Sequence, residues 1–256
     1  DTPFDKAVYM DIAPDDKGEN VLREICFNLL EMGISPESSH HEEGPGQNEI
    51  DFRYSTPLNA ADNAVTFKSV VQTIARRNGL FADFSPKPLM HESGNGLHIN
   101  VSVKAESGED VTDSFMAGVL EHTVEMTAFL NPIAASYKRL GEKKAPKYVT
   151  WSPENRSQLI RIPAVKNESN RRIELRSPDP AANPYIAYAL IIYAGLDGIK
   201  RKLKPAAPCN CNLFTADGSI TDTLANLPDT VEKARNIAKN SEFIKRVLPE
   251  GYAESI

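Results

Sequence analysis

The sequence is poor in cysteine, and this excludes a fold held together by disulfides. Its 256 residues contain only Cys26, Cys209 and Cys211. An odd, small number of thiols is typical of a reducing compartment, so we expect a cytoplasmic protein. Cys209 and Cys211 could together bind a soft metal, but no further Cys or His stands near them. Inert thiols are therefore the better interpretation.

The sequence also lacks a long hydrophobic run. The most apolar stretch, residues 184–196 (PYIAYALIIYAGL), is too short to cross a bilayer and predicts a buried helix. A hydrophobic content of 41%, a charged content of 25% and a net charge of −6 fit an ordinary globular protein. This charge provides no general attraction to nucleic acid or to an anionic membrane, so neither is an expected partner.

Common nucleotide and metal motifs are missing. The sequence contains no GxxxxGK[ST] loop, no GxGxxG before a helix, no HExxH and no CxxC. The SGNG segment at residues 93–96 is a weak nucleotide motif and predicts a turn before a strand. If the protein binds a nucleotide, neither of the two common glycine-rich motifs does so.

Apolar residues recur at helical spacing in five segments. Gly33 and Gly79 provide natural ends for the first two of these segments. The predicted helices cover residues 17–32, 65–78, 113–131, 184–202 and 229–248.

Between these helices, four short runs alternate apolar and ionisable residues, as half-buried strands do: EIDFRY (49–54), LHINVSV (97–103), LIRIP (159–163) and RIELR (172–176). One face of each strand can pack on helices. The other faces hold Glu49, Asp51 and Arg53; His98, Asn100 and Ser102; Arg161; and Arg172, Glu174 and Arg176. A single such face is usually the solvated side of a sheet. Four faces that combine Arg with Glu and nearly exclude Lys favour a binding site.

The ionisable residues predict a particular chemistry. Oxygen donors with one imidazole suit Mg²⁺ or Mn²⁺ better than zinc. Concentrated guanidinium groups beside such metals suit an anionic phosphoryl-transfer transition state, which implies ATP. The candidate metal ligands are Glu42, Glu49, His98 and Glu174, and the guanidinium groups belong to Arg139, Arg156, Arg161, Arg172 and Arg176.

Five longer motifs occur in one order: HHEEGPGQNEIDF, KPLMHESGNGLHINVS, NPIAASYKRL, APKYVTWSPENRSQLIRIPA and RRIELRSPDPAANPYIAYALIIYAGLDGI. Together, over about residues 9–200, they resemble the catalytic domain of the type I glutamine synthetase family. The resemblance implies an α+β fold in which a curved antiparallel sheet is backed by helices, with one domain over residues 1–256. It implies ATP-dependent ligation of ammonia to glutamate through γ-glutamyl phosphate, with two divalent metals per site in an intact homo-oligomer, a dodecamer.

The resemblance also implies individual roles. Glu42 and Glu49 would bind the metal on the glutamate side, and His98 and Glu174 the metal at the nucleotide phosphates. Substrate glutamate would contact Arg139, with Gly94, Ser93 and Tyr9 beside it. The phosphates would be contacted by Arg156, Arg161 and Arg172, and the transferred phosphoryl group by Arg176, which with Arg156 and Glu142 would be catalytic. Glu37, Asn100 and Ser102 would contact ATP.

Structural alternatives exist for several of these residues. Glu42 and Glu49 could cap the Gly-Pro-Gly turn, although a turn needs only one such acceptor. His98 could be a buried core histidine, but its place beside Asn100 and Ser102 on one strand face favours a ligand. Of the remaining histidines, His40, His41 and His91 are interpreted as structural or surface residues, and His122 lies on a predicted helix.

Three positions depart from the family pattern. Ser93 stands where Asn usually precedes the glycine of the glutamate-binding turn. Lys144 stands where the flap normally has a Glu that helps to bind and deprotonate ammonium, with Glu142 two residues earlier. A lysine there repels ammonium at close range. Phe214 replaces the tyrosine that some members adenylylate, so this control should be absent.

These departures leave two rival functions open. The first is a γ-glutamyl ligase that uses a polyamine or another amine. The second is a non-catalytic family member, which the retained charged cluster argues against, because buried unpaired charge is costly. The family also has an N-terminal β-grasp domain and a first catalytic strand with two more glutamate ligands. Neither is in this sequence, so we expect the 256-residue chain alone to be inactive.

Overall fold

The computed structural model describes residues 2–165 and 171–256. These residues form two compact units. The first contains the residues up to Phe84 together with His91–Ser93, and the second contains Ser85–Met90 and Gly94–Ile256. The prediction of one domain over residues 1–256 stays a prediction. None of the helices in the described ranges is both long and apolar enough to cross a membrane.

The first unit combines two helices with an antiparallel hairpin. The first helix ends before Gly33, whose φ of +83° is accessible to glycine without strain. The second helix starts at Pro57, a residue well suited to a first helical position, and is longer than predicted. The elements are α1 (Glu19–Glu31), β1 (Pro36–His41), β2 (Asn48–Phe52) and α2 (Pro57–Arg77).

The hairpin packs one face on the two helices. Ile50 and Phe52 contact a small buried core that includes Leu29 of α1 and Ile74 of α2. The β2 residues between them lie on the other face because successive side chains of a strand alternate. The sequence pattern predicted this arrangement.

Two details of the hairpin differ from the prediction. The strand ends at Phe52, so Arg53 and Tyr54 lie beyond it, and both are exposed. Strand β1 was not predicted at all, because its sequence PESSHH has no alternating apolar residues. It forms through its pairing with β2, in which His40 lies opposite Glu49.

The second unit packs a four-stranded sheet against helices around a large apolar core. Its helices α3 and α5 approach closely at glycines: a Cβ on Gly198 would lie 2.2 Å from the Ser114 carbonyl oxygen. The elements are β3 (Ile99–Val101), α3 (Thr112–Leu130), α4 (Ala134–Tyr137), β4 (Trp151–Ser152), β5 (Ile160–Arg161), β6 (Ile173–Leu175), α5 (Pro184–Arg201), α6 (Gly218–Thr221), α7 (Val231–Asn240), α8 (Glu242–Val247) and a 3₁₀ turn (Ala253–Ser255).

The strands of this sheet are ordered β3-β6-β5-β4. Leu175 pairs with Ile99 on one side and Ile160 on the other, and all three are buried in the core. The α+β class with helices behind the sheet is confirmed. The pair β4–β5 is parallel, although only antiparallel pairing was predicted.

The segment predicted as one helix over residues 229–248 forms two helices. Ser241 has an extended backbone conformation between α7 and α8. Its Oγ accepts a hydrogen bond from the Ile244 N–H at 3.1 Å, so it caps the N-terminus of α8. The apolar periodicity continues across this break, which explains why it was missed.

Candidate active site

The polar face of the second unit's sheet carries a row of paired polar residues. Glu174 on β6 lies opposite Asn100 on β3 and opposite Arg161 on β5, and Arg161 lies opposite Ser152 on β4. The apolar residues of the same strands face the core. The strand alternation therefore brings Asn100, Arg161 and Glu174 together on one surface.

Glu174 is the centre of a buried ionic cluster. Its Oε2 accepts a 2.6 Å hydrogen bond from Arg161 Nε, and its Oε1 lies 3.2 Å from an Arg176 Nη1 nitrogen. His98, immediately before β3, places Nδ1 3.7 Å from the same Oε1. Glu174 and Arg176 are buried, and Arg161 and His98 are half-buried. Three nitrogen-bearing side chains thus converge on one carboxylate.

The residues of this cluster shift the pKa values of Glu174 and His98. Burial alone would raise the pKa of Glu174, but the hydrogen bond from Arg161 and the charges of Arg176 and His98 hold it below its usual range. Burial, followed by the positive charge of Arg176, lowers the pKa of His98 to about 3. His98 is therefore a neutral imidazole at neutral pH, the form that binds metals.

Arg139 lies buried behind the Gly94–Gly96 turn. Its Nη1 donates to the Ser177 carbonyl at 2.7 Å, and its Nη2 donates to the Arg176 carbonyl at 3.1 Å. A Cβ on Gly94 would come within 2.9 Å of Arg139 Cγ and within 2.5 Å of a backbone oxygen, so only glycine fits there. Burial lowers the pKa of Arg139 to about 10, which still leaves it charged at neutral pH.

The other predicted ATP contacts of this unit lie around the cluster. Arg172 Nε donates to Asn100 Oδ1 at 3.1 Å, so these two residues are in contact. Arg176 Nε donates to the Arg156 carbonyl at 3.1 Å, and the Arg156 residue is exposed. Ser102 is exposed just after β3. Arg156 therefore joins the cluster through its backbone.

The predicted flap is a tight turn. Glu142 is exposed, and its carbonyl accepts a hydrogen bond from the Ala145 N–H at 2.9 Å. Lys143 and Lys144 both have positive φ angles, 26° and 65°, which non-glycine residues seldom adopt. Lys144 is half-buried. The catalytic role of Glu142 stays a prediction.

The first unit holds a separate acidic cluster. Ligand atoms of His40, Glu42 and Glu49 lie within 4.8 Å of one another, and His40 Nε2 is 3.4 Å from Glu42 Oε1. Burial, then the charges of Asp51 and Glu42, raises the pKa of Glu49 to about 7. A divalent cation would relieve this repulsion, so the donor set fits a metal.

The remaining predicted residues of this unit have different surroundings. Tyr9 is exposed and meets the His40 ring edge-on, with centroids 5.6 Å apart. Ser93 Oγ donates to Glu43 Oε2 at 2.7 Å. Glu37 is exposed on β1. Tyr9 thus lies beside the acidic cluster, and Ser93 has a carboxylate partner that the sequence did not reveal.

His40 is the candidate that sequence reasoning missed. It was interpreted as structural or surface, yet it faces Glu49 across the hairpin and shares a cluster with Glu42. Recognising β1 as a strand would have revealed this pairing. His41, by contrast, is fully buried, and His122 stacks on Phe243 with centroids 3.9 Å apart. His41 is thus a buried residue and not a surface one, and His122 lies on a helix, α3, as predicted.

The chain is similar to known proteins over nearly its whole length. The family model described as "Glutamine synthetase, catalytic domain" matches residues 1–256. A glutamine synthetase of Staphylococcus aureus (strain MW2) is 45% identical over 259 residues, which cover 95% of this chain and 58% of that protein. A glutamine synthetase of Methanosarcina mazei is 43% identical over 261 residues, which cover 96% of this chain and 58% of that protein.

Solved structures show the same similarity. A GmaS/ADP complex superimposes with a TM-score of 0.87 at 30% identity, covering 99% of this chain and 62% of that one. A cryo-EM structure of Plasmodium falciparum glutamine synthetase gives a TM-score of 0.85 at 26% identity, covering 98% of this chain and 59% of that one. The chain therefore spans more than half, but not all, of these proteins. It belongs to the glutamine synthetase family, whose catalytic-domain model it matches from end to end.

Proposed function

We propose that the protein carrying this chain ligates ammonia to glutamate with ATP, through γ-glutamyl phosphate. The observation that carries the proposal is the buried cluster in which Arg161, Arg176 and neutral His98 converge on Glu174. Phosphoryl transfer passes through an anionic transition state, and preorganised guanidinium groups in a buried site stabilise such charge. The solved GmaS structure is a complex with ADP, which supports a nucleotide ligand.

Two divalent metals, Mg²⁺ or Mn²⁺, would complete the site. Glu42 and Glu49 would bind one of them, and the adjacent His40 adds a donor. His98 and Glu174 would bind the other, because their ligand atoms are neighbours and His98 is neutral. When bound, the metals neutralise phosphate charge and orient the phosphates. Mg²⁺ prefers oxygen ligands, and Mn²⁺ tolerates the imidazole better.

Substrate glutamate would bind at Arg139. A guanidinium has five N–H donors, and hydrogen bonds to two backbone carbonyls hold this one in place while leaving further donors for a carboxylate. Gly94 permits the close approach of the turn to Arg139. Ser93 and Tyr9 are proposed to line the same substrate. Burial of Arg139 strengthens its attraction for a carboxylate, because water screens it less.

The phosphates would contact arginines on and around the sheet. Arg161 and Arg172 would bind ATP phosphates with Arg156, and Arg176 would stabilise the transferred phosphoryl group. Glu142 would bind and deprotonate ammonium. The nucleotide itself would also contact Glu37, Asn100 and Ser102.

We further propose a cytoplasmic homo-oligomer, a dodecamer when intact. Exposed apolar side chains on α1, including Phe27 at 59% and Leu30 at 50% exposure, support burial of this helix face against a further copy. The net charge of −6 supports neither nucleic acid nor an anionic membrane as a partner.

The test uses the full-length protein with Mg²⁺, ATP and glutamate, and measures phosphate release with ammonia and with no amine. We expect ammonia-dependent release, and we expect Arg176→Lys to lower kcat at least about a hundredfold by losing a positioned guanidinium. Arg77→Lys, an exposed substitution on α2, is the matched control and should retain the parent rate. Absence of ammonia-dependent release from the folded parent would refute the proposal.

A second candidate is a γ-glutamyl ligase for another amine. Lys144 favours this candidate. Its positive charge repels ammonium, and its φ of 65° restricts how far a movement of the flap can carry Lys144 away. The same assay with putrescine separates the two functions. Release driven by putrescine but not by ammonia would support this second candidate. A folded protein that releases phosphate with neither amine would support the non-catalytic alternative.

A further inference from the structure

A second group of metal-type ligands lies in the first unit, separate from the Glu42 and Glu49 cluster. Ligand atoms of Asp5, Asp16 and His41 lie within 4.8 Å of one another, and all three residues are buried. The side chains of His41 and Asp5 are 0% and 1% exposed. None of the three was assigned a role from the sequence.

The hydrogen bonds of His41 restrict its ring nitrogens. Nδ1 lies 2.6 Å from the Glu42 carbonyl oxygen, which can only accept, so Nδ1 carries the proton. In a neutral imidazole Nε2 then has a lone pair, and it points at Asp5 Oδ1, 3.0 Å away. Two lone pairs at that distance repel unless a proton or a cation lies near both.

Asp5 gives an independent indication of a missing partner. Its Oδ1 already accepts from the Gly46 N–H at 2.8 Å and the Ala7 N–H at 3.3 Å. Its Oδ2 is buried and has no hydrogen-bond partner. Burying a carboxylate oxygen without a partner is unfavourable, so such an atom requires an explanation. A cation held by both Asp5 oxygens and by His41 Nε2 provides one.

No basic side chain neutralises this group. Within residues 2–165 and 171–256, neither Asp5 nor Asp16 forms an ion pair with a lysine or an arginine, and only His41 pairs with Asp5. The cluster of Glu121, His122 and Asp197 on the second unit differs, because Arg201 bridges both of its carboxylates. That cluster is a complete ion-pair network, and the buried one is not.

The geometry points to a structural site for a divalent transition-metal cation, Zn²⁺ or Mn²⁺, bound by Asp5, Asp16 and His41. Two ligand atoms held by one cation at about 2.0–2.1 Å lie about 2.9–3.4 Å apart, which includes the Nε2 to Oδ1 separation. The Nδ1 bond to a backbone carbonyl is the usual support of a metal-binding histidine. Zn²⁺ binds more tightly than Mn²⁺ at such a set.

The location of this site indicates a structural role and not a catalytic one. His41 and His40 are adjacent on β1, so their side chains point to opposite faces of the strand. A cation on the buried face would join the N-terminal segment, the loop before α1 and the end of β1. It would thereby hold in place the strand that presents His40 and Glu42.

The test measures zinc bound to the full-length protein, in a Glu42→Gln, Glu49→Gln, His98→Gln background that removes ligands of both metal sites proposed above. After chelation, exposure to Zn²⁺ and gel filtration, mass spectrometry should find one zinc per chain. Asp5→Asn should lose it, and Asp16→Asn, a second variant in case the first misfolds, should bind zinc at least about a hundredfold more weakly. Asp15→Asn, an exposed neighbour, should retain the zinc.

Diffraction at the zinc edge provides the position. An anomalous peak beside His41 Nε2 would support the site. No zinc in the background protein, or equal zinc in Asp5→Asn, Asp16→Asn and Asp15→Asn, would overturn it. None of these readouts depends on ligase activity, so the proposed function can fail or hold independently.

Discussion

A methyl group added at Gly96 should damage the candidate site while leaving the fold intact. An alanine Cβ there would lie 2.8 Å from Arg139 Nη2 and 2.9 Å from His98 Nε2. Both atoms are ends of side chains, so these side chains move and the backbone does not. Gly96 has no positive φ and is exposed, so alanine fits its backbone conformation.

The size of the effect follows from that displacement. Ordinary contacts need about 3.4 Å or more, so both side chains must shift by roughly 0.5–1 Å. Misplacement on this scale costs up to about a hundredfold in rate. We expect Gly96→Ala to lower kcat/KM for glutamate by about 10- to 100-fold, equivalent to about 1.4–2.7 kcal/mol. Stability should change by less than about 1 kcal/mol, because alanine reduces the entropy of the unfolded chain.

The assay combines phosphate-release kinetics with urea unfolding of the full-length protein. Gly218→Ala is the control, because its nearest neighbour would be a carboxylate oxygen 3.7 Å away, at ordinary contact distance. A Gly96→Ala enzyme with kcat/KM within about twofold of the parent would refute the reasoning. So would a loss of activity that is matched by a loss of folded protein.

Two further predictions concern stability. Gly198→Ala should lower the free energy of unfolding by about 2 kcal/mol in urea titrations. Its Cβ would lie 2.2 Å from the Ser114 carbonyl oxygen and force α3 and α5 apart. An unchanged midpoint of unfolding would contradict this close packing. Glu174→Gln should cost about 3 kcal/mol in chelator, because it removes the carboxylate that pairs with Arg161 and with the buried Arg176. A loss below about 1 kcal/mol would show that the cluster does not depend on this charge.

The sequence predicted much of the second unit's polar surface. Alternation alone placed Glu174 and Arg161 on one face and Leu175 and Ile160 on the other, as the paired strands have them. This works because a strand side chain's direction depends only on its position in the run. The assignments of these residues to metal or phosphate remain predictions.

Other features could not be predicted from the sequence. Strand β1 has no apolar alternation, so the approach of His40 to Glu49 appears only when β1 pairs with β2. The break at Ser241 depends on a side chain that caps the next helix, and periodicity continues through it. In both cases the deciding interaction is a hydrogen bond that the apolar pattern does not encode.

By itself, the sequence determined the family, the α+β class, and which residues of each strand face the core. These follow from local periodicity and from motifs that keep their order along the chain. Only the tertiary structure decided which charges meet. The neutral state of His98, the raised pKa of Glu49 and the unsatisfied Asp5 oxygen arise from burial and from neighbours distant in the chain. Solvation and Coulomb interactions depend on distance in space, and the sequence gives only distance along the chain.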